Sequence, residues 1–118
     1  MFLELSHTKL EVFKLSKEFV LTCYKAAQHL PTEERYSMIQ QIRRAALSVH
    51  LNIAEGCSRK SLAERKRYYE IARGSLIEID TAFDVAISLN YITEEALQEA
   101  GNLILRCFQM LSKLIAAN

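Results

Sequence analysis

Residues Asn52–Glu64 read "NIAEGCSRKSLAE". The stretch contains a helix end and a helix start. Gly56 fits the left-handed position just beyond a helix C-terminus, where the absence of a Cβ removes the steric penalty. Ser61, with Glu64 three residues on, has the capping-box pattern in which the hydroxyl accepts a backbone N–H that the helix leaves free. A helix therefore stops near Gly56 and another begins at Ser61. A connection this short makes the two helices antiparallel neighbours. Asn52 and Glu55 are expected to satisfy the turn, and Arg59 and Lys60 to face outward.

Upstream, Ile39, Ile42, Ala46, Val49 and Ile53 recur at spacings of three and four, as one face of a core-facing helix does. Thr32 is its expected N-cap, with Glu33 and Glu34 in a first turn that favours acids. Pro31 ends the helix before it. That first helix is expected from about Ser6 or Thr8 to about His29. One stripe of it is Leu10, Phe13, Val20, Tyr24 and Ala27, interrupted by Lys17; the adjacent stripe is Val12, Phe19, Cys23, Ala26 and Leu30.

Downstream of Ser61, Tyr69, Ala72, Leu76, Ile79, Phe83 and Ala86 carry a third helix to about Asn90. Thr93-Glu94-Glu95 repeats the Thr-Glu-Glu start. A fourth helix follows with Leu97, Ala100, Ile104, Phe108, Leu111 and Ile115 inward. Its apolar run "LILRCFQMLSKLIAAN" is explained more simply by burial in a bundle, or against a second subunit, than by a membrane surface. With short loops throughout and no strand candidate, the fold class is all-α: an antiparallel up-down-up-down four-helix bundle, residues 1–118 forming one domain.

Composition agrees. The 118 residues are 50% hydrophobic and 25% charged, with three glycines and one proline. Such a length buries a core without disulfide or metal staples. The formal charge of +1 carries no global bias towards a partner. Cys23, Cys57 and Cys107 are odd in number and lack a CxxC spacing, which points to a reducing cytoplasm rather than a disulfide framework. The N-terminus lacks a signal-peptide pattern, and no uncharged apolar run approaches the roughly 20 residues needed to cross a membrane.

The second helix also carries Gln41, Ala45, Ser48, Asn52 and Glu55 on one face. The third carries Arg67, Glu70, Gly74, Ser75 and Glu78 near the same seam. Folding about Ser58 sets Ile42 level with Gly74 and Gln41 level with Ser75. These small and polar residues suit a hydrogen-bonded hairpin that fixes register, a subunit interface, or both, since buried polar groups need partners. A catalytic use would pair Glu55, Glu70 or Glu78 with His50 as acid and base. There is no nucleophile beside a base and no glycine-rich pocket loop, so no catalytic residue is assigned and the chain is not expected to be an enzyme.

"QIRRAALSVHLNIAEGCSRKS" followed by "YYEIARGSLIEIDTAFDVA" resembles the four-helix bundle proteins encoded in intervening sequences of bacterial 23S ribosomal RNA genes. More distant relatives include the accessory protein of diversity-generating retroelements. The specific part runs from about Gln41 to Glu78, where "NIAEG" and "ARGS" recur at this separation. The resemblance implies a homo-oligomer, a pentameric barrel of bundles, without known catalytic activity. It also implies association with RNA or with an RNA-handling enzyme such as a reverse transcriptase. Asn52, Glu55, Gly56, Arg59, Gly74, Ser75 and Glu78 fall on motif positions, with structural roles. Where the family often has proline two residues before the motif asparagine, this chain has His50, so the second helix is expected to run without that kink.

Charge is unevenly spread. From Arg43 to Arg73 there are eight cations (Arg43, Arg44, Arg59, Lys60, Arg65, Lys66, Arg67 and Arg73) against three acids; the remainder has seven against eleven. These cations, with Tyr68 as a stacking aromatic, are the candidate nucleic-acid-binding residues. Repetition in a ring strengthens such a patch, and its phosphate binding would weaken steeply with salt. The competing reading is a solvated face laced by pairs such as Glu64 with Lys66 or Arg67 with Glu70. His7, His29 and His50 are too scattered for zinc, and Glu4-Leu5-Ser6-His7 is a single ExxH where a di-iron bundle needs two. No metal or cofactor is expected. The sequence thus suggests a cytoplasmic, self-assembling bundle that binds structured RNA or an RNA-handling protein, or alternatively a protein-interaction scaffold that binds no nucleic acid.

Overall fold

A computed structural model describes residues 1–117. Four helices make the fold: α1 (Glu11–Ala27), α2 (Met38–Ser58), α3 (Leu62–Ser88) and α4 (Gln98–Ala116). Each packs on its sequence neighbour, and α1 closes against α4. Ser16 of α1 meets His50 of α2, and Tyr24 meets Arg43. Ser48 of α2 meets Ser75 of α3, and Cys57 meets Tyr69. Thr22 of α1 meets Glu99 of α4, and Glu11 meets Arg106. In each set one number rises as the other falls, so these touching helices run in opposite directions.

The apolar stripes of α2 and α3 are buried at every expected position, Ile39 to Ile53 and Tyr69 to Ala86. Phe19, Ile42, Ile53, Leu76, Ile79 and Leu111 are the largest fully buried side chains; each contributes on the order of 1.5–3 kcal/mol by leaving water. Two expectations fail for the first helix: Leu10, which stands just before α1, and Tyr24 within it stay exposed. One fails on α4. Its inward arc is Ala100, Leu103, Ile104, Cys107 and Leu111. Phe108 follows Cys107 by one residue, a rotation of about 100°, and so lands on the α3 side with the Arg73 guanidinium 5.7 Å from its ring centroid. Burial pushes the Cys23 and Cys107 thiols up to about 12.

Helix starts also differ from expectation. Thr32 heads a 3₁₀ turn, Thr32–Glu34, and α2 begins later, at Met38. There the Glu34 carboxylate accepts from the Ser37 hydroxyl and, at 3.4 Å, from the Met38 N–H. Thr93 accepts the Ala96 N–H at 3.2 Å but caps a 3₁₀ turn, Glu95–Leu97, from which α4 continues. A 3₁₀ turn, Ser6–Lys9, likewise precedes α1. Ser61 caps α3 as expected, accepting the Glu64 N–H at 3.1 Å. At the other end of α3, Asn90 takes φ 61°. Its N–H reaches the Ile87 carbonyl at 2.9 Å and the Tyr91 N–H reaches Ala86 at 3.0 Å. These two bonds make a Schellman stop with asparagine in the position glycine usually fills.

Candidate nucleic-acid interface

The hairpin of α2 and α3 folds later than the sequence suggests. Gly56 is not beyond the helix; it lies within α2, buried, and no glycine has positive φ. Its glycine identity answers a close approach instead. A Cβ there would lie 2.7 Å from Cε1 of Tyr69 and 3.2 Å from Cβ of Tyr68. Because α2 runs on to Ser58, the register shifts. Gln41 donates to Glu78 rather than standing level with Ser75. Ser75 donates to Ser48 at 3.1 Å, and Asn52 donates to the same hydroxyl at 3.0 Å and to the Ser48 carbonyl at 2.8 Å. Asn52 therefore stitches its own helix and does not satisfy the turn. Gly74 is exposed, with no atom within 4 Å of a built Cβ, so it makes no close helix contact.

Arg59 does not face freely outward. It folds back over Tyr68, 5.0 Å from the ring centroid, and donates to the Tyr68 hydroxyl at 3.1 Å and to Glu55 at 2.9 Å. Tyr68 foremost, and then Glu55, raise the guanidinium pKa against partial desolvation. Tyr68 is thereby covered by a cation and is not a free stacking surface. Arg65 donates from Nε to the Arg59 carbonyl at 2.6 Å, tying α3 to the loop. Among the described residues Lys60, Lys66 and Arg67 have no carboxylate within ion-pair distance, and the pairs of Glu64 with Lys66 and Arg67 with Glu70 do not form.

The eight candidate cations are not one patch. Arg43 and Arg44 lie 15–16 residues before Arg59 on α2, about 24 Å along the axis. Arg43 stacks on Tyr24 at 5.6 Å, with its buried Nε unpartnered. Arg73 turns to α4, donating to Ser112 at 3.2 Å. What gathers at the hairpin tip is Arg59, Lys60, Arg65, Lys66 and Arg67. Charge nonetheless separates along the axis. The hairpin half (residues 1–14, 51–73 and 106–117) holds ten Lys and Arg against five Glu, and the other half five against nine acids. Linear sequence hides this separation, because Lys9, Lys14, Arg106 and Lys113 join the hairpin end only through the fold.

The profile of the 23S rRNA-intervening sequence protein family matches residues 8–113. The chain belongs to that family. A crystal structure of an S23 ribosomal protein family member from Bacteroides thetaiotaomicron, described as a protein with unknown function, is similar at 25% identity. It aligns over 90% of this chain and 99% of its own, with TM-score 0.82. No curated protein matches.

In this intervening-sequence protein the position of the expected proline is used differently. α2 is continuous through His50, whose Nδ1 lies 2.7 Å from the fully buried Ser16 hydroxyl. The His50 ring also packs on Phe13, 4.5 Å between centroids. Burial first, then the charges of Lys17 and His7, lower the His50 pKa. His50 thus points at α1 and bonds none of Glu55, Glu70 or Glu78. Glu55 binds Arg59 and Glu78 binds Gln41. Burial and the Cys57 thiol, 3.4 Å away, push the Tyr69 hydroxyl pKa up. Among the described residues no three metal-ligating side chains converge, and no helix is long and apolar enough to cross a membrane.

Proposed function

We propose that this intervening-sequence protein is a non-catalytic, self-assembling bundle that binds structured RNA by its phosphates at the hairpin end. One observation carries the reading: exposed Lys60 and Arg67, with half-buried Lys66, share one tip and have no ion-pair partner among the described residues. The cationic start of α3 adds the positive end of the helix dipole to the same surface. Tyr68 being covered, recognition rests on phosphate geometry rather than on base stacking. In the pentameric barrel that the family resemblance implies, five such tips share one rim, and a modest patch becomes a strong field. An RNA-handling protein that carries such RNA is the partner class this surface would serve. Three free cysteines fit a cytoplasmic setting.

The test is binding of purified protein to a structured RNA at about 50 and 200 mM salt, beside a Lys66→Glu, Arg67→Glu variant. Neither side chain makes an intrachain hydrogen bond or ion pair among the described residues, so the variant should keep its circular dichroism spectrum. The expected result is a loss of about 10³–10⁵ in affinity over that salt range when six to ten phosphates are engaged, with the variant much weaker throughout. No wild-type binding at low salt would refute RNA binding and leave a scaffold for proteins.

A further inference from the structure

A cavity of about 550 Å³ opens where the start of α1 and the last turns of α4 meet Tyr69 of α3. Five apolar side chains line it: Leu10, Val12, Tyr69, Met110 and Leu114. Val12 and Tyr69 are buried, Met110 and Leu114 half-buried, and Leu10 exposed. Folding thus leaves apolar surface in water here, and a ligand that covers it with carbon gains by doing so.

Tyr69 keeps the cavity open. The Cys57 thiol holds its hydroxyl at 3.4 Å, and its ring lies against Gly56, where a Cβ would meet Cε1 at 2.7 Å. The ring is therefore fixed and its hydroxyl is committed elsewhere. The other four apolar side chains offer only the weakly accepting Met110 sulfur. A sugar, a phosphate or a base edge placed among them would lose its bonds to water without replacement. An alkyl chain has none to lose.

The polar groups stand at the rim: Glu11 of α1, and Arg106, Gln109 and Lys113 of α4, all exposed. Arg106, Met110 and Lys113 are spaced four and three, so they share one face of α4. The two cations are about 10 Å apart along the axis, with the methionine between them. Lys113 has no ion-pair partner among the described residues. Arg106 reaches Glu11 at 3.8 Å, well beyond the roughly 2.7–2.9 Å of a charged hydrogen bond, so its guanidinium keeps donors to offer. Two cations against one acid favour an anionic head group.

Size decides the rest. Five apolar side chains are too few for a protein partner, whose stable interface takes about 20–30 residues a side. The volume falls within the roughly 300–1,000 Å³ of small-molecule sites. We propose that this cavity binds a free anionic amphiphile with one alkyl chain, of the fatty carboxylate class. The chain lies on Val12, Tyr69, Met110 and Leu114, and the carboxylate accepts from Lys113 and Arg106. The proposal depends on neither RNA binding nor assembly.

The experiment is amide chemical-shift mapping of the full chain with decanoate, kept below its micelle-forming concentration. Decyltrimethylammonium, with the same chain and a cationic head, is titrated beside it. The proteins are wild type, Lys113→Glu and Met110→Trp, each checked by circular dichroism. Decanoate is expected to give saturable one-to-one shifts around Leu10–Val12, Tyr69 and Arg106–Leu114, and to bind wild type more tightly than the cationic amphiphile does. Lys113→Glu turns an exposed attraction into a repulsion, and should weaken decanoate about tenfold while strengthening decyltrimethylammonium. Met110→Trp fills the cavity and should weaken both. If that variant misfolds, the head-group reversal in Lys113→Glu still decides. Absence of saturable shifts at the cavity, or shifts scattered over the surface, would overturn the site. Equal binding of the two head groups, unchanged in Lys113→Glu, would overturn the anionic ligand.

Discussion

The same substitution at two glycines of one hairpin should have opposite signs. Gly56→Ala and Gly74→Ala each relieve the cost of glycine inside a helix, about 1 kcal/mol. At Gly74 nothing lies within 4 Å of the new Cβ, so that gain should appear nearly whole. At Gly56 the methyl would meet Cε1 of Tyr69 at 2.7 Å, Cδ1 at 3.0 Å and Cβ of Tyr68 at 3.2 Å. The Tyr69 ring is buried and its hydroxyl is engaged with Cys57, so it has nowhere to swing. Tyr68 Cβ moves only with the α3 backbone. Overpacking costs about 1–3 kcal/mol; a 2.7 Å approach to a ring that cannot swing away belongs to the upper part of that range, about 2–3 kcal/mol, and after the propensity gain of about 1 kcal/mol the net loss should be about 1–2 kcal/mol. For a chain of this size 1 kcal/mol corresponds to about 4 °C. Calorimetry should therefore show Gly56→Ala melting about 4–8 °C below wild type and Gly74→Ala about 2–4 °C above it. Adding Tyr69→Leu to Gly56→Ala should recover part of the loss beyond additivity, since the two positions touch. A Gly56→Ala protein as stable as Gly74→Ala would refute the close-approach reasoning.

Two further outcomes follow from single residues. Asn90→Ala places a Cβ without side-chain compensation at φ 61°, and should lower urea-unfolding stability by about 1–2 kcal/mol, whereas Asn90→Gly should not. His50 is held below its usual pKa of 6.5 in the folded state. Below that pH the unfolded chain binds the proton more readily, so stability should fall as pH drops through 6.5. A His50→Gln variant should flatten this part of the pH profile.

What the sequence made legible was whatever depends on a repeat along one helix. The stripes of α2 and α3 were readable because each inward side chain is large, apolar and spaced at three or four. Phe108 misled because hydrophobicity alone does not place a residue within an arc; its neighbour Cys107 is small but better centred. The Thr-Glu-Glu signals located chain turns correctly but not their type, because 3₁₀ and α starts use the same capping chemistry. Gly56 was noticed for one property of glycine and is needed for another, which only the position of Tyr69 reveals. The basic candidates were visible as residues but not as a surface. Arg43 and Arg44 are separated from the tip by helix length, Arg59 is consumed by Tyr68 and Glu55, and the cations of α1 and α4 reach the tip through tertiary packing.

The division of charge along the bundle has a thermodynamic consequence. In the assembly proposed above, with the tips on one rim, the positive tips would be neighbours and repel one another, so part of what association gains would be offset by that repulsion. A polyanion lying along the rim neutralises it. Binding of the polyanion and closure of the ring then favour each other, and by reciprocity each raises the affinity of the other by the same factor. A short anionic oligomer should lower the protein concentration at which the ring forms, and raising the salt should weaken that linkage by screening both interactions.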